Sequence, residues 1–350
     1  MIVLAFETSC DETCASVVEC APIKVRSNVV SSQIEIHKLY GGVVPEIASR
    51  NHAMAILGVC EEAIERAGIK LSDVTHVAAT TFPGLRGAVM VGQIFGQSLA
   101  NALRVPFIPV NHLDGHMASV LLSEKTPGAG APPPLGKGED FEKREDLGNG
   151  GFLSLLVSGG HTALYHVKSW GEKVLLCETA DDAVGEAFDK VAKVLGLEYP
   201  GGVKIEALAR EFAEAGEGEG LITFVKNPRA GAFSYSGLKT AVLNYVNHEK
   251  MAGRALDLPR ICASFQHEAV KQLCDKVLEW LERLWGTTSH KPPIGGKAVV
   301  AVCGGVSANG YLRTEMARAV GAVGGAVVFP PFEYCTDNAS MIGCAAGQIT

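Results

Sequence analysis

The order of apolar segments along the chain repeats itself, and this repeat most constrains the fold. Up to residue 122, alternating apolar residues separated by turn residues predict three strands, then helix, strand, helix, strand and helix. From residue 152 three strands and a helix follow again, and the C-terminal part returns to strand, helix, strand and helix. The sequence therefore predicts two copies of a βββαβαβα unit, and so an α/β fold.

The predicted elements define three regions. Residues 1–122 form a first unit, completed by a C-terminal helix at about 336–350. Residues 123–151, rich in Gly, Pro and charge, are predicted to be a flexible insertion or linker. Residues 152–335 form a second unit with a helical insertion at about 200–285. Two such units are typical of the actin, Hsp70 and sugar-kinase (ASKHA) group, in which two lobes face each other across a nucleotide cleft.

Start and stop signals give the helix bounds. Pro45 and Gly68 bracket the first long helix, because Pro suits a first helical position and Gly a position just past the end. The predicted helices are 45–67, 86–103, 112–122, 181–196, 203–215, 236–250, 259–284, 308–319 and 337–348.

Composition indicates a cytoplasmic protein. No apolar run reaches the roughly 20 residues that a membrane-spanning helix needs, and the N-terminus enters a strand without a basic leader. An organellar matrix is the alternative if a transit peptide was removed. The ten cysteines are irregularly spaced and include no Cys-x-x-Cys pair, which favours buried thiols in a reducing compartment.

A net charge of −7 argues against a protein that holds nucleic acid by bulk charge alone. One segment departs from this average: residues 221–260 carry six basic residues against two acidic ones, a local charge of +4. This segment is either a solvated helical face or a contact surface for a phosphate backbone. Its basic residues are Lys226, Arg229, Lys239, Lys250, Arg254 and Arg260.

Two polar turns occupy equivalent places in the two units. Glu7-Thr-Ser-Cys-Asp-Glu12 joins the first two strands of the first unit, and Val157-Ser-Gly-Gly-His-Thr162 joins those of the second. Hydroxyl groups and exposed backbone N–H groups can bind phosphate, and paired glycines let the backbone approach a ligand closely. An ordinary polar hairpin is the alternative for each turn, but their equivalent positions favour a ligand-binding role.

Further candidates lie in the second unit. Cys303-Gly-Gly-Val-Ser-Ala-Asn-Gly310 runs from a buried strand into a helix, a frequent phosphate or nucleoside site, although it is neither a Walker A loop nor a Rossmann fingerprint. In this motif Asn309 could reach a ligand from the first helical turn. Asp189 and Glu206 could accept ribose hydroxyls, whereas Asp181 and Asp182 suit the first turn of a helix and can be purely structural.

The pair His112 and His116 is spaced to place both imidazoles on one side of a helix. Such a pair can chelate one ion, but two exposed histidines are the alternative, and the Glu of a His-Glu-x-x-His peptidase motif is missing. Asp337, at the start of the last predicted helix, is the candidate third ligand. Two His and one Asp with an open position would hold a divalent metal.

Together these segments resemble the TsaD/Kae/Gcp family of tRNA N6-adenosine threonylcarbamoyltransferases. The matching motifs occur in the family's order over nearly the whole chain. They are Glu7-Thr-Ser-Cys-Asp-Glu-Thr13, Tyr40-Gly-Gly-Val-Val-Pro-Glu-Ile-Ala-Ser-Arg50, His112 with His116, Leu156-Val-Ser-Gly-Gly-His-Thr162, Asp182 to Lys190, Phe233-Ser-Tyr-Ser-Gly-Leu-Lys239, Gly304-Gly-Val-Ser-Ala-Asn309 and Cys335-Thr-Asp-Asn338.

The resemblance implies transfer of the threonylcarbamoyl group from threonylcarbamoyl-AMP to N6 of adenosine 37 in tRNAs that read codons beginning with A (t6A37 formation). It implies one divalent metal, iron or zinc, on His112, His116 and Asp337. The adenylate, or ATP or ADP in its place, would be held by Leu156, Val157, Ser158, Gly159, Gly160, Asp189, Gly202, Glu206 and Asn309. Thr8, Ser9, Asp11 and Glu12 would form a supporting loop, in which Asp11 and Glu12 are the candidates to aid catalysis.

Leu156 stands where the archaeal and eukaryotic cytosolic branch has a metal-binding Tyr, which favours the bacterial or organellar type. That type implies tRNA as substrate, with either a smaller ASKHA paralogue (TsaB-like) and a P-loop ATPase (TsaE-like) as partners, or a self-dimer if organellar. No membrane association is implied. The chain departs from the family pattern at Phe82 and Val203, in its longer 123–151 insertion, and in lacking the usual segment after Thr350.

Other functions remain open at this level. An ATP-dependent kinase or ATPase of the sugar-kinase class would use the nucleotide turns but would leave His112 and His116 without a role. A metallopeptidase is a poor fit because the general-base Glu is absent. A non-catalytic binding paralogue would not need intact metal ligands.

Overall fold

The computed structural model describes residues 1–123, 147, 151–216, 220–224, 231–286 and 298–350. Within these ranges the chain divides into two units, Met1–Asn149 with Pro330–Thr350, and Gly150–Phe329. Almost all of the predicted insertion at 123–151 lies outside the described residues, as do Lys226 and Arg229 of the basic segment.

The first unit is built on a five-stranded sheet in the order β3-β2-β1-β4-β5. β1 pairs antiparallel with β2 and parallel with β4; β2 and β3 are antiparallel, and β4 and β5 are parallel. The strands are β1 (Ile2–Glu7), β2 (Glu12–Cys20), β3 (Ile23–Ser32), β4 (His76–Phe82) and β5 (Phe107–Asn111). The helices are α1 (Ile34–Lys38), α2 (Pro45–Ala67), α3 (Arg86–Leu103) and α4 (His112–Ala118).

The second unit repeats this sheet in the order β10-β9-β6-β7-β8, with the same directions of pairing. In both sheets the unit's first strand lies at the centre, so the predicted duplication is confirmed. The strands are β6 (Phe152–Val157), β7 (Thr162–Ser169), β8 (Glu172–Glu178), β9 (Val299–Cys303) and β10 (Ala326–Val328). The helices are α5 (Val184–Val194), α6 (Gly201–Ala215), α7 (Ser236–Met251), α8 (Leu258–Trp285) and α9 (Gly310–Ala322).

The last helix, α10 (Ala339–Ile349), packs on β1, β2 and α4 of the first unit. It lies so close to the sheet that a Cβ on Gly343 would be 2.7 Å from a methyl group of Val18. The chain thus leaves the second unit after β10 and returns its final helix to the first.

Helix bounds 45–67 and 86–103 are confirmed, but several predicted starts are wrong. The helices predicted from 181, 308 and 337 begin at Val184, Gly310 and Ala339. The last two start late because Asn309 and Asn338 act as N-caps, accepting hydrogen bonds from Leu312 N at 2.8 Å and Met341 N at 2.9 Å. α4 ends at Ala118 and continues as a 3₁₀ turn, Ser119–Leu121, rather than as one helix to 122.

All ten cysteines fall in the described ranges and are free thiols, eight of them buried, as predicted for core residues. None of the described helices combines the length and the apolar character needed to cross a membrane.

Asp181 holds the start of α7 from outside that helix. Its carboxylate accepts hydrogen bonds from Tyr235 N at 2.7 Å, Ser236 N at 3.1 Å and Ser234 Oγ at 2.6 Å. The predicted place of Asp181 in the first turn of α5 is therefore wrong; it satisfies N–H groups at another helix's N-terminus. Burial alone would raise the pKa of Asp181, but these hydrogen bonds lower it below its ordinary value.

We expect Asp181→Ala to destabilise the second unit by about 1–3 kcal/mol at neutral pH, since three donors lose their acceptor. The carboxylate's pKa is lowered on folding, so its contribution is complete above the unfolded-state value of about 3.9 and disappears as the pH falls through the folded-state pKa. All three tryptophans lie in this unit, so urea unfolding followed by tryptophan fluorescence measures it.

The matched control is Asp275→Ala, which removes an exposed carboxylate paired with Lys271 in the same unit. Its effect should stay within about 0.5 kcal/mol. Equal effects of the two substitutions, or a difference that does not shrink in acid, would contradict the assigned role of Asp181.

Candidate metal centre and candidate nucleotide turns

His112 and His116 occupy successive turns of one short helix. β5 leads directly into α4, and Asn111 caps the helix by accepting a hydrogen bond from Leu113 N at 2.8 Å. The two rings lie 4.6 Å apart between centroids. They keep only 8% and 1% of their surface exposed, so the alternative of two exposed histidines is wrong.

The N-terminal end of α10 brings a carboxylate to this pair. Asp337 precedes the cap residue Asn338, and its Oδ1 lies 3.2 Å from His116 Nε2 and 3.6 Å from His112 Nε2. One ligand atom from each of the three residues falls within 4.8 Å of the others. α4 and α10 approach this closely because Gly115 has no side chain; a Cβ there would lie 2.6 Å from Ile342 Cδ1.

The three side chains fit a divalent cation. Both ring nitrogens of His116 are buried and have no hydrogen-bond partner in the described part of the chain, although Asp337 Oδ1 lies 3.2 Å from Nε2. A buried polar nitrogen without a partner is costly, and a bound cation would use its lone pair. Two imidazoles and one carboxylate also form a donor set that leaves coordination positions open.

Glu7 is a site residue that the sequence prediction missed. It ends β1 with no exposed surface, and its Oε2 lies 2.9 Å from His112 Nδ1. Burial lowers the pKa of His112, but the charges of Glu7 and Asp337 raise it to about 9 overall. Burial likewise opposes ionisation of Glu7, yet His112 brings the pKa of Glu7 below its ordinary value. The available signal was a charged residue closing an otherwise apolar strand.

The predicted supporting loop divides into two parts. Thr8 is committed to α3, since its hydroxyl donates to Ala88 O at 2.8 Å and accepts from Gly92 N at 3.2 Å. Ser9 Oγ lies 3.2 Å from His112 Nδ1 and thus borders the candidate metal centre. Burial and the charges of Asp337 and Asp11 raise the pKa of Glu12 to about 10, so this carboxyl stays protonated and uncharged at neutral pH.

The glycine turn of the second unit is open at its tip. Gly159 and Gly160 are exposed, and a Cβ on either would meet no atom within 4 Å. Ser158 closes the turn, with its N donating to His161 O at 2.8 Å and its Oγ accepting from His161 N at 3.0 Å. Leu156 and Val157 have fully buried side chains, so they can offer only backbone groups to a ligand.

A second turn packs directly against this one. Gly304 has φ +93°, and a Cβ there would lie 2.5 Å from Val157 O, so glycine is required on both conformational and steric grounds. Beyond it, Asn309 Nδ2 donates to Gln266 Oε1 at 2.8 Å while its Oδ1 caps α9. Asn309 thus lies before the first helical turn and supports α9 and α8.

The remaining predicted nucleotide residues contact helix N-termini. Glu206 Oε1 accepts a hydrogen bond from Gly310 N at 2.8 Å, which joins α6 to the start of α9. Asp189 Oδ1 accepts one from Gly201 N at 2.8 Å, beside Gly202. Burial raises the pKa of Asp189 above its ordinary value. The structure therefore gathers Glu206 with Asn309, and Asp189 with Gly202, within the second unit.

Much of the basic segment is paired locally. Lys239 Nζ lies 2.8 Å from Asp182 Oδ2, and Arg254 Nε lies 2.6 Å from Glu249 Oε2. Arg260 Nε donates to Gly220 O at 2.9 Å. For Lys239, Arg254 and Arg260 these contacts favour the solvated helical face over a contact surface for a phosphate backbone.

Solved structures with the same architecture include HypF from T. kodakarensis, at TM-score 0.60 and 15% identity, covering 99% of this chain and 47% of that one. Component A of the Acidaminococcus fermentans (R)-2-hydroxyglutaryl-CoA dehydratase matches at TM-score 0.51 and 12% identity, covering 100% of this chain and 96% of that one. At these identities the likeness shows the fold alone, and it confirms the predicted ASKHA-type class.

Sequence comparison goes further. The family model described as "TsaD: tRNA N6-adenosine threonylcarbamoyltransferase" matches residues 24–135 and 144–344. The relative of that name from Moorella thermoacetica is 43% identical over 350 residues, covering 98% of this chain and 90% of the relative. One from Clostridium perfringens is 41% identical over 351 residues, covering 99% and 91%. The chain is thus a member of a transferase family. That family is TsaD, as the resemblance of its motifs predicted.

We expect Asp337→Ala to lose bound metal as completely as His112→Ala and His116→Ala do. Each change leaves two of three ligands, and the two histidines alone bring no negative charge to a divalent cation. Metal content of purified protein after incubation with Zn²⁺ or Fe²⁺ and gel filtration, measured by mass spectrometry, checks this.

His248→Ala is the control, because His248 is an exposed histidine of the second unit whose loss should leave metal content unchanged. Full metal occupancy in folded Asp337→Ala would refute the three-ligand site.

Proposed function

We propose that this chain transfers a threonylcarbamoyl group from threonylcarbamoyl-AMP to N6 of adenosine 37 in tRNAs that read codons beginning with A. One observation carries the proposal: the buried cluster of His112, His116 and Asp337 occurs in a chain 43% identical to a tRNA N6-adenosine threonylcarbamoyltransferase over nearly its full length. tRNA is accordingly its macromolecular substrate.

The proposed transfer reaction needs no nucleophilic side chain from the protein. The exocyclic amine of adenosine attacks the carbamoyl carbon, a new C–N bond forms, the C–O bond to phosphate breaks, AMP leaves with the electron pair, and the amine loses a proton. Because the substrate is already activated, the chain must chiefly orient it and stabilise charge on the carbonyl oxygen. A divalent cation on the three ligands supplies that Lewis acidity when it is bound.

We assign the metal as iron or zinc from the donor set. Zinc in catalytic sites takes three protein ligands and keeps an open position, and Fe²⁺ binds a triad of two His and one carboxylate. Magnesium prefers an all-oxygen shell, which two imidazoles do not provide. The carboxylates of Glu7 and Asp337 beside the histidines favour a dication over a neutral occupant.

For the adenylate we propose binding to the second unit. The open tip at Gly159 and Gly160, with the adjoining backbone of Leu156, Val157 and Ser158, suits phosphate and acyl groups. Asp189, Gly202, Glu206 and Asn309 are assigned to ribose and adenine through atoms not engaged by the helix N-termini. In the first unit Ser9, Asp11 and Glu12 are assigned a supporting role, and the contacts of Thr8 favour a structural one.

A direct test supplies threonylcarbamoyl-AMP, unmodified tRNA and Zn²⁺ or Fe²⁺, with and without partner proteins, and measures modified adenosine by mass spectrometry. The wild-type chain should form product and Asp337→Ala should not. Asp189→Ala should raise KM for the adenylate while leaving metal content unchanged, because Asp189 contacts α6 and not the histidines. No product from the wild type, under conditions in which a known homologue is active, would contradict the proposal.

A kinase or ATPase is the alternative function on this fold. ATP hydrolysis by the isolated chain that persists unchanged in His112→Ala and His116→Ala would favour it, since neither imidazole has a role in phosphoryl transfer.

We further propose that a smaller ASKHA paralogue (TsaB-like) docks on α2 and α3, which pack against each other. Met54 and Leu57 on α2 are 75% and 58% exposed, and Met90 and Ile94 on α3 are 49% and 54% exposed. Their spacings of three and four residues place each pair on one helix face. Exposed apolar faces of this kind mark protein interfaces. The bacterial relatives favour this partner over a self-dimer.

The double variant Met54→Glu with Ile94→Glu should abolish the complex with the paralogue, because two charges would enter an apolar interface. Size-exclusion chromatography with light scattering measures the complex, and metal content should not change. Met251→Glu, at a 90% exposed position of the second unit, is the control. A complex that survives the double variant would place the interface elsewhere, and a dimer of this chain alone would support the self-association alternative.

A further inference from the structure

The carboxylate of Glu7 is fully buried. Its side chain has no exposed surface, and its Oε1 accepts a hydrogen bond from Ser9 N. Its Oε2 accepts one from the Thr80 hydroxyl on β4 and lies 2.9 Å from His112 Nδ1. A buried carboxylate is retained only where donors surround it, and here one of those donors is an imidazole of the candidate metal centre.

We propose that Glu7 is a positioning residue for the metal, which fixes the tautomer and the ring orientation of His112. The inference rests on the proposed metal centre and adds to it a residue that does not touch the metal. A carboxylate accepts hydrogen bonds, so Nδ1 of His112 must carry a proton and donate a hydrogen bond to Glu7. In the neutral ring, the form that binds a metal, the lone pair is then on Nε2, the nitrogen that faces Asp337 Oδ1 at 3.6 Å. Outer carboxylates of this kind orient metal-binding histidines and raise their basicity.

Two further contacts hold the carboxylate itself. Thr80 anchors it to the neighbouring strand β4, and Ser9 N anchors it to the turn that follows β1. The Ser9 hydroxyl also lies 3.2 Å from His112 Nδ1, but it is a longer contact and, being neutral, a weaker acceptor. Glu7 therefore dominates the choice of tautomer.

The two histidines are held differently. His116 Nδ1 has no hydrogen-bond partner within the described ranges, whereas His112 Nδ1 has two candidates. The ring of His112 is thus oriented by a hydrogen bond before any metal binds, whereas no hydrogen bond among the described residues fixes Nδ1 of His116. Because, of these two histidines, only His112 has a hydrogen-bond partner at Nδ1 among the described residues, removing the Glu7 carboxylate should weaken metal binding through the His112 ring.

The experiment uses the full chain and Co²⁺ alone as the probe, because its visible absorption reports ligand geometry. Glu7→Gln keeps the side chain's volume but removes its charge and offers an amide N–H₂ group to His112 Nδ1, which favours the tautomer with a protonated Nε2. We expect the dissociation constant for Co²⁺, measured against a competing chelator, to rise by roughly 10- to 100-fold, with an altered Co²⁺ spectrum and an unchanged circular dichroism spectrum.

Thr13→Val is the matched control. It removes a buried hydroxyl from the same sheet, one that lies 2.8 Å from Nδ1 of His52, a histidine outside the cluster. If Glu7 merely stabilises the fold, both variants will lower the melting temperature and neither will change Co²⁺ affinity. The proposal requires the affinity to fall in Glu7→Gln only.

Thr80→Val covers the case in which Glu7→Gln does not fold. Removing the hydroxyl that anchors the Glu7 carboxylate should weaken Co²⁺ binding several-fold, and an unchanged affinity in that folded variant would overturn the proposal. Equal Co²⁺ affinities of wild type and folded Glu7→Gln would overturn it as well, while leaving the metal centre intact. A wild-type chain that binds neither Co²⁺ nor Zn²⁺ would instead refute the metal centre, and with it the role of Glu7.

Discussion

The close approach of α4 to the N-terminal end of α10 is the contact on which the candidate metal centre depends. It is possible because Gly115 leaves room for Ile342, and it carries Asp337 from the end of the sequence to within 3.2 Å of His116. Two asparagines define where the helices start, Asn111 for α4 and Asn338 for α10. Each ligand is therefore placed by a helix terminus, which is a rigid and sequence-encoded position.

Charge then determines what such a cluster can hold. Two imidazoles that are almost fully buried lie beside the carboxylate of Asp337, and the carboxylate of Glu7 lies behind His112. Excess negative charge in a poorly solvated place is unfavourable unless a cation balances it. A divalent metal would offset the carboxylates and would use the lone pair of one buried nitrogen of His116 at the same time.

Much of the fold and part of the site were predictable from sequence. The duplication follows from apolar periodicity, and the bounds of α2 followed from Pro45 and Gly68. The cluster His112, His116 and Asp337 was predicted as a set, but burial of the histidines was not, because exposure depends on α10 arriving from more than 200 residues away.

The hydrogen-bond partners of the individual polar side chains could not be predicted from the sequence. Glu7 was missed because a lone Glu at a strand end has the same local pattern whether it meets water or an imidazole. Asp189, Glu206 and Asn309 were predicted to bind ribose and adenine, yet each also satisfies backbone N–H groups or a neighbouring side chain at a helix terminus. Only the tertiary structure shows these structural hydrogen bonds, since the partners are distant in sequence.

Binding of one metal by His112, His116 and Asp337 can be observed by anomalous diffraction from crystals of the Zn²⁺-loaded protein, recorded above and below the zinc edge. We expect one peak at about 2.0–2.2 Å from His112 Nε2, His116 Nε2 and an Asp337 oxygen. Zinc bound at any other residues, with the three side chains uncoordinated, would contradict it.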